Sequence, residues 1–465
     1  MEAVRKNHKI SFSLLLVLLG LFFIPFNSWE GIPQLGEYAK ESAALFFLLA
    51  GTVVILKLLI IQKINLPYKH PIFLSLCILV LWFVIATIFN AQDISQYYFK
   101  DTSGFKRFVL QFISLGIALF FFITFYNAFR TVEVWTIFKY IRKTFLISFI
   151  IVSIYSILEI AILKFGLRFL TQTLYLFDYF PFTESWLDYK NHRISSVTFE
   201  PPALATYLLT ITPWMLSYII THKQFKKYIP ALLVFIFTFF SGSRAGIFII
   251  VVQYVLFFIA LINFSTWHKY IVKAIVFSVV GGGILILING KTITNYIVVK
   301  ATSFALDDED HSYSNRSRLG IVYANFQVFK QNPISGVGLG QQAFLANDFY
   351  PAWAVKDNYE FEEKYLNPKV KNFPPGYNLY VRLLAESGSI GFLLFLMLIG
   401  VALYLCIKPI LEKDGQALLY MICLISIVGM LLNWLKMDTF RVFTFWFTLA
   451  FLIMLTKHKT LVYRK

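Results

Sequence analysis

Charge is scarce in this sequence: Asp, Glu, Lys and Arg make up 14% of it, against about 25% in a soluble globular chain. With 58% hydrophobic residues, that shortage excludes an ordinary water-soluble domain. Cysteine is scarcer still. Cys77, Cys406 and Cys423 all lie inside apolar runs, which excludes a disulfide framework and a cysteine metal cluster. Residue-by-residue alternation of apolar and polar side chains is missing, which excludes a membrane barrel. No GxSxG, HExxH, P-loop or Rossmann fingerprint occurs in a supporting context. The run Gly336-Val337-Gly338-Leu339-Gly340 follows a helical pattern rather than a strand, so a dinucleotide-binding turn is excluded. Neither a short-period repeat nor an inverted repeat of the transporter kind is visible.

What the chain does have is apolar runs long enough to cross a roughly 30 Å hydrocarbon core at 1.5 Å per residue. Twelve are read, at 10–26, 41–61, 71–89, 108–127, 144–163, 203–220, 228–240, 245–263, 271–289, 389–407, 415–434 and 441–456. The expected fold is an all-α polytopic membrane protein of about twelve transmembrane helices. Spans one to nine fill 1–289, a large extracytoplasmic loop with short helices fills 290–388, and spans ten to twelve fill 389–465. The basic start (Arg5, Lys6, Lys9) resembles a signal peptide, but no small-x-small cleavage site follows, so the first run reads as a retained span.

The formal net charge is +17. With both termini on one side, the short loops on that side carry 21 of the 42 Lys and Arg but only 4 of the 25 Asp and Glu. Basic residues accumulate in cytoplasmic loops, so both termini are expected in the cytoplasm. The charge reports topology and gives no reason to expect nucleic acid as a partner. Four segments then fall outside: 164–202, 241–244, 290–388 and the turn around Lys436 to Phe440.

These segments hold the candidate chemistry. Ser241-Gly242-Ser243-Arg244-Ala245-Gly246 opens a span with an arginine, whose planar fork suits phosphate oxygens; the same arginine at a bilayer edge also reads as one snorkelling to headgroups. Glu200, before Pro201-Pro202, reads as a general base at the membrane edge or as a charge complementing a helix N-terminus. In the large loop, Arg318 to Gln331 reads as a helix with Ile321, Ala324, Val328 and Phe329 on one face, opened by Arg316 and Arg318 and stopped at Asn332-Pro333. A second helix runs from Asn378 to Ser387 and closes at Gly388. Asp307–Asp310 reads as a solvated acidic turn, and His311 as a lone structural histidine. Aromatics between Phe344 and Phe373, Trp353 among them, either pack the loop or stack on sugar rings.

Three pieces together resemble the O-antigen ligase and polymerase superfamily, covering roughly 230–405. They are Ser-Gly-Ser-Arg-Ala-Gly at 241–246, Arg318 followed by Asn332-Pro333-Ile334-Ser335-Gly336-Val337-Gly338-Leu339-Gly340, and the run from Tyr377-Asn378 through Arg382 and Glu386 to Gly391. The resemblance implies a metal-independent glycosyltransferase, without cofactor, that uses an undecaprenyl-diphosphate-linked glycan as donor at the outer face of the cytoplasmic membrane. Arg244 and Arg318 match the arginines expected near the diphosphate, and Arg193 joins them as a diphosphate candidate. Arg316, Asn378 and Trp353 are further substrate-binding candidates. Where ligases begin the third motif with His-Asn, this chain has Tyr377, and a phenol of ordinary pKa is a poor base at neutral pH. Glu200 is the substitute base, with Glu386 second. The Arg193…Glu200-Pro201 pattern looks more like the polymerase branch.

The expected function is therefore a cell-surface polysaccharide polymerase that moves a growing glycan onto a lipid-linked repeat unit. An O-antigen ligase, acting on lipid A-core or on protein, and a flippase for lipid-linked glycans are the alternatives. Expected partners are the lipid-linked oligosaccharide, membrane lipids, a chain-length regulator and a flippase.

Overall fold

The computed structural model describes residues 10–61, 64–270, 272–273 and 312–462. Most of the ninth expected span, the acidic turn Asp307–Asp310 and His311 lie outside them. Twelve long helices carry the described chain: α1 Phe12–Phe23, α2 Ser42–Ile61, α3 Pro71–Phe89, α4 Gly104–Phe129, α5 Val134–Phe165, α6 Pro201–Thr221, α7 Ile229–Phe240, α8 Arg244–Ile262, α9 Ser312–Gln331, α10 Leu379–Leu411, α11 Ala417–Asn433 and α12 Phe443–Val462. By length and composition α3, α4, α5, α6, α8 and α10 can each cross a membrane, while Phe12–Phe23, Ser42–Lys57, Ala417–Asn433 and Phe443–Lys457 are shorter apolar segments.

Helices α6, α11 and α12 form the centre. In α12 every residue from Phe443 to Leu455 is buried, as expected of a helix that is apolar all round. In α6, 78% of the apolar window is buried, against 33% in α4. A central helix would be weakened by Pro213, which cannot bond the carbonyl of Leu209. Gln253 of α8 repairs this: its Nε2 donates to the Leu209 carbonyl (3.0 Å) and to that of Ile425 in α11 (3.2 Å). Gly429 makes the approach possible, since a Cβ there would collide with the Gln253 amide.

Helix α5 starts ten residues before the expected fifth span. Val134, Ile137, Phe138 and Ile141 are all buried, so a stretch read as a basic loop has an apolar stripe at helical spacing. Helix α10 joins the expected loop helix and tenth span in one element, broken at Gly388 (φ +64°, ψ −169°). The break packs against the glycine run that follows α9: Val337 N–H donates to the Ala385 carbonyl (3.0 Å) and Gly338 N–H to that of Glu386 (2.9 Å).

The polar loop has small cores of its own. Ala324 and Val328 of α9 pack with Val337, Ala346 and Ala385, and Ile321 packs with Ala354, Phe361 and Tyr365. Most of the loop aromatics are spent here. Phe344 stacks on Tyr97 and meets Phe373 edge-on. A hairpin of β1 Tyr98–Phe99 and β2 Thr102–Ser103 presents Lys100, whose Nζ donates to the carbonyls of Lys364 (2.7 Å) and Asn372 (3.0 Å).

Candidate active site

A cavity of about 1290 Å³ opens where α2, α6, α8, α10 and α12 begin. Residues from all four of the segments expected outside the membrane meet in its wall: Arg193 and Glu200, Gly242 to Arg244, Arg318 and Tyr377, and Lys436 with Met437. Helix N-termini carry free N–H groups and partial positive charge, so the starts of these helices reinforce the basic side chains. Phe199, Phe239, Phe240, Tyr207 and Phe443 also line it, so basic and aromatic side chains share the cavity.

Arg193 is fixed by the turn that opens α8. Its Nε donates to the Ser241 carbonyl (2.8 Å), and Ile194 N–H donates to the Phe240 carbonyl (3.2 Å). Gly242 holds φ +64° in this turn. Any side chain there would meet Arg193, with a Cβ only 2.9 Å from Nε. Ser243 caps α8 by accepting from Gly246 N–H (3.2 Å), and Arg244 is the first residue of the helix. The second glycine of the motif serves packing: a Cβ on Gly246 would lie 2.7 Å from the Ala205 Cβ in α6.

The Arg193–Glu200 segment is pinned from below. The Glu159 carboxylate of α5 is fully buried and accepts from the N–H groups of Ser195 (2.9 Å) and Ser196 (2.8 Å). Glu200 then precedes the two prolines of α6. Its side chain makes no helix-capping hydrogen bond; the carboxylate is open to the cavity. The surrounding protein raises its pKa by desolvation, and Arg318, Lys436 and Arg193 pull it back. A carboxylate raised toward neutrality while still accessible suits general-base work.

Arg318 projects from α9 over the Tyr377 ring, 5.5 Å from its centroid. The Tyr377 hydroxyl shares a 2.6 Å hydrogen bond with Tyr365, and burial raises its pKa above the ordinary phenol value. Burial thus favours the neutral phenol of Tyr377, whose ring faces the Arg318 guanidinium.

Four other candidates are not brought to this cavity. Glu386 is 2% exposed and paired to Arg382 (2.8 Å), beside a separate cavity of about 30 Å³. Arg382 also donates to Gln111 Oε1 (2.6 Å) and to the Asp438 carbonyl (2.8 Å), so Glu386 belongs to a buried ion network. Asn378 caps α10, accepting from Tyr380 N–H (3.0 Å) and Val381 N–H (3.1 Å). Arg316 donates to the carbonyls of Trp353 (2.7 Å) and Lys356. The Trp353 ring is 43% exposed and does not line the cavity.

Glu41, Lys164, Lys190 and Arg441 line the wall without having been singled out in the sequence, and Lys436 enters there only as the edge of an outer turn. Burial raises the Glu41 pKa and Arg441 lowers it. Arg441 donates to the Glu37 carbonyl. Among the described residues no three His, Cys, Asp or Glu side chains gather as a metal site.

Membrane-length helices around a cavity lined by both basic and aromatic side chains indicate a multi-pass membrane protein. Residues 229–396 match the family model described as O-Antigen ligase, so this part of the chain is similar to the O-antigen ligase/polymerase superfamily. Members of that family are glycosyltransferase-like enzymes. The matched region contains Arg244, Arg318 and Tyr377, whereas Arg193, Glu200, Lys436 and Arg441 lie outside it. No curated protein matches the chain.

Proposed function

We propose that the chain is a polysaccharide polymerase of the cytoplasmic membrane. It transfers a growing glycan from an undecaprenyl-diphosphate donor to the sugar of a lipid-linked repeat unit at the outer face. The observation that carries this reading is the convergence of Arg193, Arg244 and Arg318 with the accessible carboxylate of Glu200 in one half-apolar cavity. Its 1290 Å³ exceeds the ~300–1,000 Å³ typical of a single small-molecule pocket, leaving room for donor and acceptor sugars.

In the reaction an acceptor hydroxyl oxygen attacks the anomeric carbon of the donor glycan. The new glycosidic C–O bond forms as the bond from that carbon to the phosphate oxygen breaks, and the diphosphate leaves with the electron pair. Glu200 takes the hydroxyl proton. Arg193, Arg244 and Arg318 stabilise the charge that gathers on the leaving group, a preorganised electrostatic role that typically accounts for about 10²–10³ in rate per donor. Tyr377, in place of a ligase histidine, favours the polymerase over the ligase.

The test is the glycan profile of a deletion strain complemented with wild type, Arg244→Ala or Arg318→Ala. Deletion should leave a single repeat unit on the final acceptor, and neither variant should restore polymer while both remain in the membrane. Long polymer stranded on the lipid carrier would identify a ligase instead. Normal polymer from both variants would sink the diphosphate assignment.

A further inference from the structure

Lys436 sits in the turn between α11 and α12, in the wall of the same cavity. Its Nζ is buried and finds no hydrogen-bond partner among the described residues. A buried amine without a partner is costly, and such a cost is tolerated where a ligand supplies the missing acceptor. The groups that face it are Arg318 from α9 and Glu200 at the start of α6, with Arg193, Arg244 and Tyr377 around the same wall and Asp438 and Arg441 in its own turn.

We propose that Lys436 is a further diphosphate-binding residue, its ammonium meeting a phosphate oxygen beside Arg318 and coupling ligand binding to the uptake of a proton. The inference rests on the diphosphate reading of the cavity and adds the residue that makes its affinity depend on pH. Burial, followed by the nearby Arg318 charge, lowers the Lys436 pKa to about 8, with Glu200 opposing them. An anion at the amine raises that pKa again. Binding therefore favours the protonated amine, and affinity falls as pH rises through the value of the free protein. Tyr377, with its raised pKa, stays neutral across this range. A phosphoryl group completes its own ionisation near pH ~6, so the window from about 7.5 to about 9.5 isolates the lysine.

The experiment measures binding of farnesyl diphosphate, and separately of the water-soluble monoester methyl diphosphate, to the purified full-length protein in detergent across that window. Wild type should lose about fourfold to tenfold in affinity between pH ~8 and pH ~9.5. Lys436→Arg should bind with no such slope, because guanidinium does not titrate there. Lys436→Met should bind about tenfold to a hundredfold more weakly at pH ~7.5, again without the slope. Its melting temperature should equal or exceed that of the empty wild type, since an unsatisfied amine has been removed. Glu200→Gln should keep the slope, moved to lower pH because a supporting charge is gone. A slope with both probes assigns the site to water-soluble and lipid-borne diphosphate alike; a slope with farnesyl diphosphate alone restricts it to the lipid-borne form. Wild-type affinity and slope in Lys436→Met would overturn the role of Lys436 while leaving the cavity assignment standing. Loss of the slope in Glu200→Gln would overturn it by moving the titration to the carboxylate. Failure of wild type to bind either probe would overturn the diphosphate reading itself.

Discussion

Replacing Gly242 with alanine should disable the cavity while leaving the fold in place. The backbone holds φ +64° there, a left-handed conformation that costs an L-residue roughly 1–2 kcal/mol. The new methyl would stand 2.9 Å from Arg193 Nε and 3.3 Å from its Cδ and Cγ. All three atoms belong to a flexible side chain, so Arg193 yields before the backbone does. Its 2.8 Å hydrogen bond to the Ser241 carbonyl goes with it, and a bond from a charged donor contributes about 1.5–3 kcal/mol. The combined cost is about 2.5–5 kcal/mol, confined to one turn. Displacing an arginine from a leaving-group site should slow turnover by about tenfold to a hundredfold. Gly400 is the control: a Cβ there meets nothing within 4 Å, so Gly400→Ala should leave turnover unchanged. The assay is polymer formation from lipid-linked repeat units in membrane vesicles, normalised to folded protein. Wild-type turnover in Gly242→Ala, at equal abundance, would refute the view that this glycine exists to seat Arg193.

Glu200→Gln should abolish turnover without preventing folding, because the carboxylate caps no helix. In the wild type, activity should rise with pH as Glu200 deprotonates, through a value above the ordinary carboxylate range, and fall again through about 8 as Lys436 loses its proton. A profile with no acid limb, or turnover retained in the glutamine variant, would remove Glu200 as the base. Glu386→Leu should act on stability instead. Leaving Arg382 buried without its 2.8 Å partner costs about 3–5 kcal/mol, so thermal unfolding of the purified variant should shift down sharply, while any folded fraction keeps the wild-type pH profile. A changed pH profile in that fraction would return Glu386 to the chemistry.

Much of the site was legible because charge asymmetry sorts loops by side. Arg193, Glu200, Arg244, Arg318 and Tyr377 come from three segments assigned to one face on that basis, and all five line one cavity. What local pattern did not give was which polar residues are already occupied. Arg382 and Glu386, four apart on a helix, are the spacing of an ion pair, and that signal argued against a free carboxylate. Asn378, just before an apolar helix, is a preferred N-cap residue, and its side chain is spent there. Arg441 and Glu41 left no local signal, since each is a charge at the edge of an apolar run, and Lys436 stood out only as the edge of an outer turn; tertiary packing brings all three to the cavity.

One property of the cavity follows from topology without any motif. In a chain that crosses back and forth, alternate helices start on the same side. Five that start at the cavity are α2, α6, α8, α10 and α12, and each brings the positive end of its dipole to that wall. The adjacent charges, Glu41, Glu200, Arg244, Arg318 over Tyr377, and Arg441, sit within a few residues of those starts or pack directly onto them. For the anion proposed here, the helix starts supply a backbone field that the arginines and Lys436 sharpen.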